Sequence, residues 1–309
     1  MGVNEPRKTI ATRKLPGGSL TPVQSQAASN PCLNCGTNVQ LDYCPECGQA
    51  QVDPDPTLRE FLREFAEEFL HWDGKLGQTF RTLVTQPGVL TQEYLAGRRI
   101  RYVSPLRVYL SCSVLFFFLS ALVPQRTIVD TAGHPVAGGI VQVGASSPAE
   151  LAEVDSLARH APAIQQVWFA HFARAMRTPQ ELAHAVTSSI PKAMFVLVPL
   201  FAALVGLVYR DRRRRYPQHL AFALHEHAMM FLVLSALLAV RLLPNVRAAM
   251  AIELVGAVLL SVRLVRATRV VYGGSSAEAT WRLTLVSIMY FFAFVGALFV
   301  TFGATVLMF

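Results

Sequence analysis

Four cysteines near the start of the chain carry the spacing of a metal site. Cys32, Cys35, Cys44 and Cys47 lie in the stretch CLNCGTNVQLDYCPECGQ, two Cys-x-x-Cys pairs separated by eight residues. Each pair turns tightly enough to project two sulfurs toward one point, so two pairs can surround an ion tetrahedrally. Gly36 and Gly48 follow the pairs, where a tight turn favours a residue without Cβ. A segment this short buries no core of its own, so the ion would supply its folding energy. Structural zinc is the expected occupant. Rubredoxin-like iron and a redox dithiol are the alternatives, and two disulfides would require an oxidising compartment. Four thiolates leave no open coordination position, which makes the site structural or recognitive rather than catalytic. The gap of eight is shorter than the roughly 15–20 residues of the commoner two-pair pattern, so the ribbon is a minimal one.

A second group of ionisable residues lies within apolar sequence. The run YPQHLAFALHEHAMMFL brings His219, His225, Glu226 and His227 into one hydrophobic span, and Glu253 stands in the next. Charged groups in a bilayer are expensive and point to function, so a proton or metal site is one reading. Helical geometry weakens it, because at ~100° per residue His225 and His227 face opposite ways and cannot chelate together. A polar lining near the membrane surface is the expected alternative, with Glu226 paired to Arg107 and Glu253 paired to Arg241 or Arg247. The fifth cysteine, Cys112, falls inside the first span and reads as a small buried apolar residue. There is no Gly-rich phosphate loop, no Gly-x-Ser-x-Gly elbow and no His-Glu-x-x-His, so no catalytic residue is singled out.

The elements that must position these groups follow from composition. The chain of 309 residues is 52% hydrophobic, and its mean hydropathy of +0.37 marks a membrane protein rather than a soluble domain. Its net charge of +8 is not a nucleic-acid signal. Residues 1–103 hold eleven basic and eleven acidic side chains, and the surplus flanks the apolar spans. No nucleic-acid partner is therefore expected. Residues 1–31 read as a disordered tail, 32–50 as the four-cysteine ribbon, and 57–103 as cytoplasmic amphipathic helices. Thr57 and Glu60 form a capping box at the start of an apolar stripe through Leu58, Phe61, Leu62, Phe65 and Phe69. The net acidity of the opposite face favours packing against the protein's own bundle over anionic lipid. Pro87-Gly88 breaks this region before a second short helix through Tyr94 and Leu95.

Residues 104–309 read as an all-α membrane domain with about five transmembrane helices, near 106–123, 193–209, 221–243, 248–265 and 283–309. Arg98, Arg99, Arg101 and Arg107 precede or open the first span, RDRRRR follows the second, and further arginines lie between the fourth and fifth. By the positive-inside rule the N-terminus is cytoplasmic and the C-terminus extracytoplasmic. The loop 124–189 then lies outside. It carries a Gly-rich strand-like run, two Pro-containing helix starts at Ser147 and Thr178, and an aromatic group of Trp168, Phe169 and Phe172.

Three stretches together, CLNCG…YCPECGQ, TLVTQPGVLTQEYLAGRRIRYVSPLRVYL and YPQHLAFALHEHA, resemble one bacterial membrane family, domain-of-unknown-function family number 3667. The Pro-Gly followed by Glu-Tyr and Gly-Arg-Arg is the most specific part. The resemblance implies a zinc-ribbon-bearing integral protein of the bacterial inner membrane and implies no activity. Arg98, Arg99 and Arg101 form a basic collar that either binds lipid headgroups at ~1 kcal/mol each or enforces topology. Three functions compete. The leading one is an inner-membrane scaffold or assembly factor whose zinc ribbon recognises a protein partner. The second is a small-solute or ion transporter or channel, for which five spans suffice only in a homo-oligomer. The last is a lipid-modifying enzyme, which lacks a nameable nucleophile.

Overall fold

The computed structural model describes residues 30–39, 42–50, 57–60, 75–123 and 162–307, apart from 178, 241, 242 and 244, with short pieces between 128 and 160. The expected tail up to residue 29, the apolar stripe beyond Glu60 and the side chains of both loop helix starts lie outside these residues. Where the stripe begins, the Thr57–Glu60 box is formed. The Glu60 carboxylate accepts from the Thr57 amide at 2.8 Å, and the Glu60 amide donates back to the Thr57 hydroxyl at 3.3 Å.

The chain enters through a two-stranded antiparallel pair, β1 (Asn30–Pro31) with β2 (Asn38–Val39). Two short helices, α1 (Leu76–Thr85) and α2 (Val89–Leu95), lead into α3 (Pro105–Leu122). A second antiparallel pair follows, β3 (Ile128–Val129) with β4 (Pro135–Ala137), within the Gly-rich strand-like run. The remainder is helical: α4 (Ala163–Arg177), α5 (Pro179–Val208), a 3₁₀ turn (Arg210–Arg212), α6 (Tyr216–Val240), α7 (Val246–Tyr272) and α8 (Ser276–Val306).

Five helices are long and apolar enough to cross a membrane: Pro105–Leu122, Ser188–Val208, Tyr216–Val240, Arg247–Tyr272 and Ser276–Val306. The chain is thus a multi-pass, mostly helical membrane protein. Several boundaries depart from the sequence expectation: the third and fifth spans begin earlier than read, at Tyr216 and Ser276. The second crossing is the end of a longer helix that begins at Pro179, so the loop before it is about ten residues shorter than read. The fourth span is continuous to Tyr272, because Asn245 caps its start by accepting from the Ala248 amide at 3.2 Å and Gly273 ends it. Ser275 starts α8 in the same way, accepting from the Glu278 amide at 3.1 Å.

Helix α6 is the centre of the bundle, packed against α3, α5 and α7, while α8 covers α5 and α7. Every residue of α6 from Pro217 to Met229 is buried, so its first half is enclosed on all sides. Phe222, Val108, Cys112, Val198 and Val205 lie in this core, and Cys112 is buried as a small apolar residue. Helices α7 and α8 expose long apolar faces, as lipid-facing helices do. At the end of the bundle that carries the ribbon, the loops are tied together by charge. Arg282 donates to both carboxylate oxygens of Asp211 at 2.7 and 3.1 Å, and Arg212 pairs with Glu278 at 2.9 Å. The arginine run after the second span is therefore also a structural clasp.

The α1–α2 hairpin packs into the bundle, with α2 touching both α6 and α7. The break falls at Pro87-Gly88, as the sequence predicts. A Cβ on Gly88 would stand 2.7 Å from the carbonyl oxygen of Ala267 on α7, so a glycine lets the hairpin meet that helix backbone to backbone.

Candidate metal centre and its docking site

The two Cys-x-x-Cys turns are close copies of each other, twelve residues apart. In the first, Gly36 N–H donates to the Cys32 carbonyl at 2.8 Å and Cys32 N–H to the Thr37 carbonyl at 2.8 Å. In the second, Gly48 N–H donates to Cys44 at 2.9 Å and Cys44 N–H to Gln49 at 2.8 Å. Gly36 and Gly48 take positive φ of 81° and 73°, as the tight turns require. The β1–β2 pair closes the first turn and an antiparallel bridge between Tyr43 and Ala50 closes the second.

This symmetry brings the four sulfurs together. Cys32 and Cys47 Sγ are 3.6 Å apart, Cys35 and Cys44 Sγ 3.5 Å, and all four lie within 4.8 Å of one another. Sulfurs at ~2.3 Å from a tetrahedral ion stand about 3.8 Å apart, so the cluster has the size of a four-thiolate site. All four are free thiols, with no disulfide among them. Hydrogen bonds from Thr37 hold the exposed Cys35 thiol down to about 6. Against the downward pull of the Cys47 amide, burial and the neighbouring sulfurs of Cys35 and Cys47 push Cys44 up to about 11. Protons are thus shared unevenly in a crowded set that a cation would discharge together.

The ribbon is anchored by the residue just beyond its last turn. Gln49, only 5% exposed, donates from Nε2 to the Gly97 carbonyl at 2.8 Å. Its Oε1 accepts from the amides of Arg99 at 3.2 Å and Ile100 at 3.4 Å. The receiving turn is a Schellman motif ending α2: Arg98 N–H reaches the Glu93 carbonyl and Gly97 N–H that of Tyr94, both at 3.0 Å. Gly97 holds φ +76° there, under the side chain of Leu33 from the first cysteine turn. Glu93 locks the same turn from its other side, accepting from Arg98 Nη2 and Nε at 2.5 and 2.7 Å and facing Arg101 at 3.5 Å. These contacts, the Arg98 hydrogen bonds first and the arginine charges after, hold the Glu93 carboxyl below its usual range. Arg99 stacks over the Tyr94 ring at 4.7 Å.

Residues 73–117 match a family described as a protein of unknown function, DUF3667. The match bears out the resemblance expected from the sequence and covers that stretch alone. It spans α1, α2, the Gly-Arg-Arg turn and most of α3, the elements that receive the ribbon and lean on α6 and α7. No curated protein and no solved structure matches the chain.

Deeper in the bundle the ionisable residues separate. Glu226 accepts from Arg263 Nη1 at 2.9 Å, both buried, and Arg263 Nη2 donates to the Leu83 carbonyl near the end of α1. The expected partner of Glu226 was Arg107; α7 instead supplies Arg263 at equal depth. Glu226 is ten residues from the start of α6 and Arg263 nine from the end of α7, about 14 Å in along each axis. His225 shares a 2.9 Å hydrogen bond with Thr91 of α2, His219 one of 2.9 Å with Tyr272, and His227 one of 3.1 Å with Tyr290. The three histidines face three different helices and do not converge. Glu253 is half-buried on α7, ten residues or about 15 Å from Arg263, and belongs to none of these groups. Of its two expected partners, Arg241 lies outside the described residues and Arg247 is exposed on the same helix.

Gln49, Thr91 and Arg263 are the functional-looking residues that spacing did not single out. Arg263 left a trace, a lone cation inside the fourth apolar span opposite a lone carboxylate inside the third. The other two become visible only once the hairpin is docked.

Proposed function

We propose that the protein is a scaffold or assembly factor of the bacterial inner membrane, with a cytoplasmic zinc ribbon that recognises a protein partner. The observation that carries this reading is the closed four-sulfur cluster held rigidly on the bundle by Gln49. Four thiolates fit zinc and leave it no position for substrate, so the ion's role is to shape a surface. That surface presents Tyr43, 64% exposed beside the second cysteine turn, whereas the anchoring Gln49 is buried. Exposed tyrosines are frequent anchors of protein interfaces. The arginine-rich loops at the ribbon end favour a cytoplasmic N-terminus, and five crossings then carry the C-terminus outside.

Affinity purification from gently solubilised membranes tests the reading. A partner recovered with the native protein is expected to be lost on replacing Cys44 and Cys47 by Ser, and weakened by Tyr43→Ala. An unchanged partner list in both variants rejects it. A metal assay of the purified protein, with labelling of cysteines placed at each terminus, tests zinc and orientation together.

A second reading, a small-solute or ion transporter or channel, draws on the buried Glu226–Arg263 pair and its neighbour His225. Flux into liposomes that disappears in Glu226→Gln supports it, and flux indifferent to that change removes its site.

A further inference from the structure

Helix α4 lies outside the five crossings yet carries an apolar stripe. At ~100° per residue, Val167, Trp168, His171, Phe172 and Ala175 share one face, while Gln166, Ala170, Arg174 and Arg177 lie on the other. The cover over this stripe changes along its length. At its C-terminal end Ala175 is fully buried, and Phe172 meets Phe302 of α8 edge to face with ring centroids 6.4 Å apart. Trp168 stacks on Phe172 at 5.0 Å, the two rings 10° from parallel. There the cover ends. Trp168 is 36% exposed and Val167 57%.

The depth of this patch follows from α8. Arg282, near the start of that helix, is bonded to Asp211 at the ribbon end of the bundle, and Phe302 lies 20 residues further on (302 − 282). A crossing takes ~20 residues, so Phe302 stands at the opposite edge of the hydrocarbon layer. Just before it, Phe299 and Val300 are each 73% exposed on the lipid-facing surface of α8. That surface continues through Phe302 and Phe172 to Trp168. We propose that the uncovered end of α4 docks on lipid: Val167 and Trp168 enter the boundary between headgroups and acyl chains, at the membrane face opposite the ribbon. An indole suits that boundary, having an apolar body and one N–H to keep in water. Helices with Trp and Phe on one face and Arg on the other settle ~5–10 Å into it. The contact pins the segment before the second crossing to the bilayer surface. It stands independently of what the ribbon recognises and of which side of the membrane the ribbon occupies.

The depth of the indole decides it. The chain has three tryptophans, so the full-length protein with Trp72→Phe and Trp281→Phe reports on Trp168 alone. In phosphatidylcholine vesicles its emission is expected to be lost mainly to lipid brominated near the headgroup, less to lipid brominated near the chain end, and little to aqueous iodide. Ala170→Trp, in protein that also carries Trp168→Phe, moves the reporter to the other face of α4. Its emission is expected to be lost to iodide instead. The unaltered chain supplies a check free of substitutions: a phosphatidylcholine with a photoreactive group near its headgroup is expected to label Val167 or Trp168. Trp168 emission lost chiefly to iodide would place the patch in water. Emission indifferent to both quenchers that shifts as the protein is diluted would place a second copy on it. Either result overturns the proposal, as would equal lipid quenching at positions 168 and 170, or photolabelling of α8 without α4.

Discussion

Among the described residues, the ribbon and the buried Glu226–Arg263 group are two places where this chain gathers polar atoms, and they are assembled in opposite ways. The ribbon's four sulfurs come from sixteen consecutive residues, and its hydrogen bonds close within each turn. The buried group joins residues 37, 134 and 180 positions apart, from α1, α2, α6 and α7. A local site needs only an ion to form, whereas the distributed one needs the whole bundle. The two should therefore fail separately.

Removing the metal is the harshest way to test that separation. With chelator, or in the Cys44→Ser, Cys47→Ser double variant, the ribbon is expected to unfold outright, since structural zinc supplies roughly 10–16 kcal/mol in small zinc-finger peptides. Hydrogen exchange should then show residues 30–50 unprotected while α6 keeps its protection. Loss of protection in α6 as well would mean that the ribbon is a keystone of the membrane domain and not a module docked on it.

Breaking the buried pair should do the reverse. Arg263→Ala leaves the Glu226 charge and the Leu83 carbonyl without their partner, and Glu226→Ala strands the Arg263 charge, each for about 3–5 kcal/mol. Thermal unfolding in detergent should drop for both single variants, with metal content unchanged. The double variant Glu226→Leu, Arg263→Met should cost less than Arg263→Met alone, because no charge is left uncompensated. Additive losses would show that the two side chains do not act as a pair.

The same contrast governs what the sequence reveals. Cysteine spacing, the Thr57–Glu60 box, the break at Pro87-Gly88 and the five spans depend on near neighbours and are readable residue by residue. Glu226 was conspicuous as a charge in an apolar span, but its partner was not, because choosing between Arg107 and Arg263 requires knowing which helices touch. Gln49 illustrates the limit more sharply. An amide after a cysteine turn is unremarkable until the Schellman turn 48 residues later presents a carbonyl and two amides to it. The histidines lay between these cases: their separation on the helix wheel excluded a shared metal, while their individual partners Thr91, Tyr272 and Tyr290 depended on packing.

The junction between the two regions is tested by Gly97. Its φ of +76° costs a residue with a Cβ roughly 1–2 kcal/mol, and the added methyl would also press on Leu33. Gly97→Ala is expected to loosen the ribbon from the bundle without unfolding either. Exchange of the Arg99 and Ile100 amides should rise while metal content and α6 protection hold. Protection at those amides equal to the native protein's would mean that Gln49 does not depend on the glycine's conformation.

The mildest perturbation acts on the same turn through pH. Glu93 is five residues from Arg98, and its carboxyl is held below the usual range by hydrogen bonds from Arg98, then by the charges of Arg98 and Arg101. A carboxyl depressed in the folded state adds stability that is complete above its unfolded value, 4.5, and is lost as pH falls through the lower folded value. The pair is partly exposed, so the effect should stay under ~1 kcal/mol. Acid would also protonate the thiolates of a metal-loaded ribbon, so the informative quantity is the melting difference between the native protein and Glu93→Gln at each pH. That gap is expected to be constant from pH 8 to about 5 and to close as the solution is acidified further. A gap that persists at about pH 3 would mean that the carboxylate's shape, and not its charge, holds the turn against Arg98, and that the ribbon's seat is insensitive to the protonation that empties the ribbon itself.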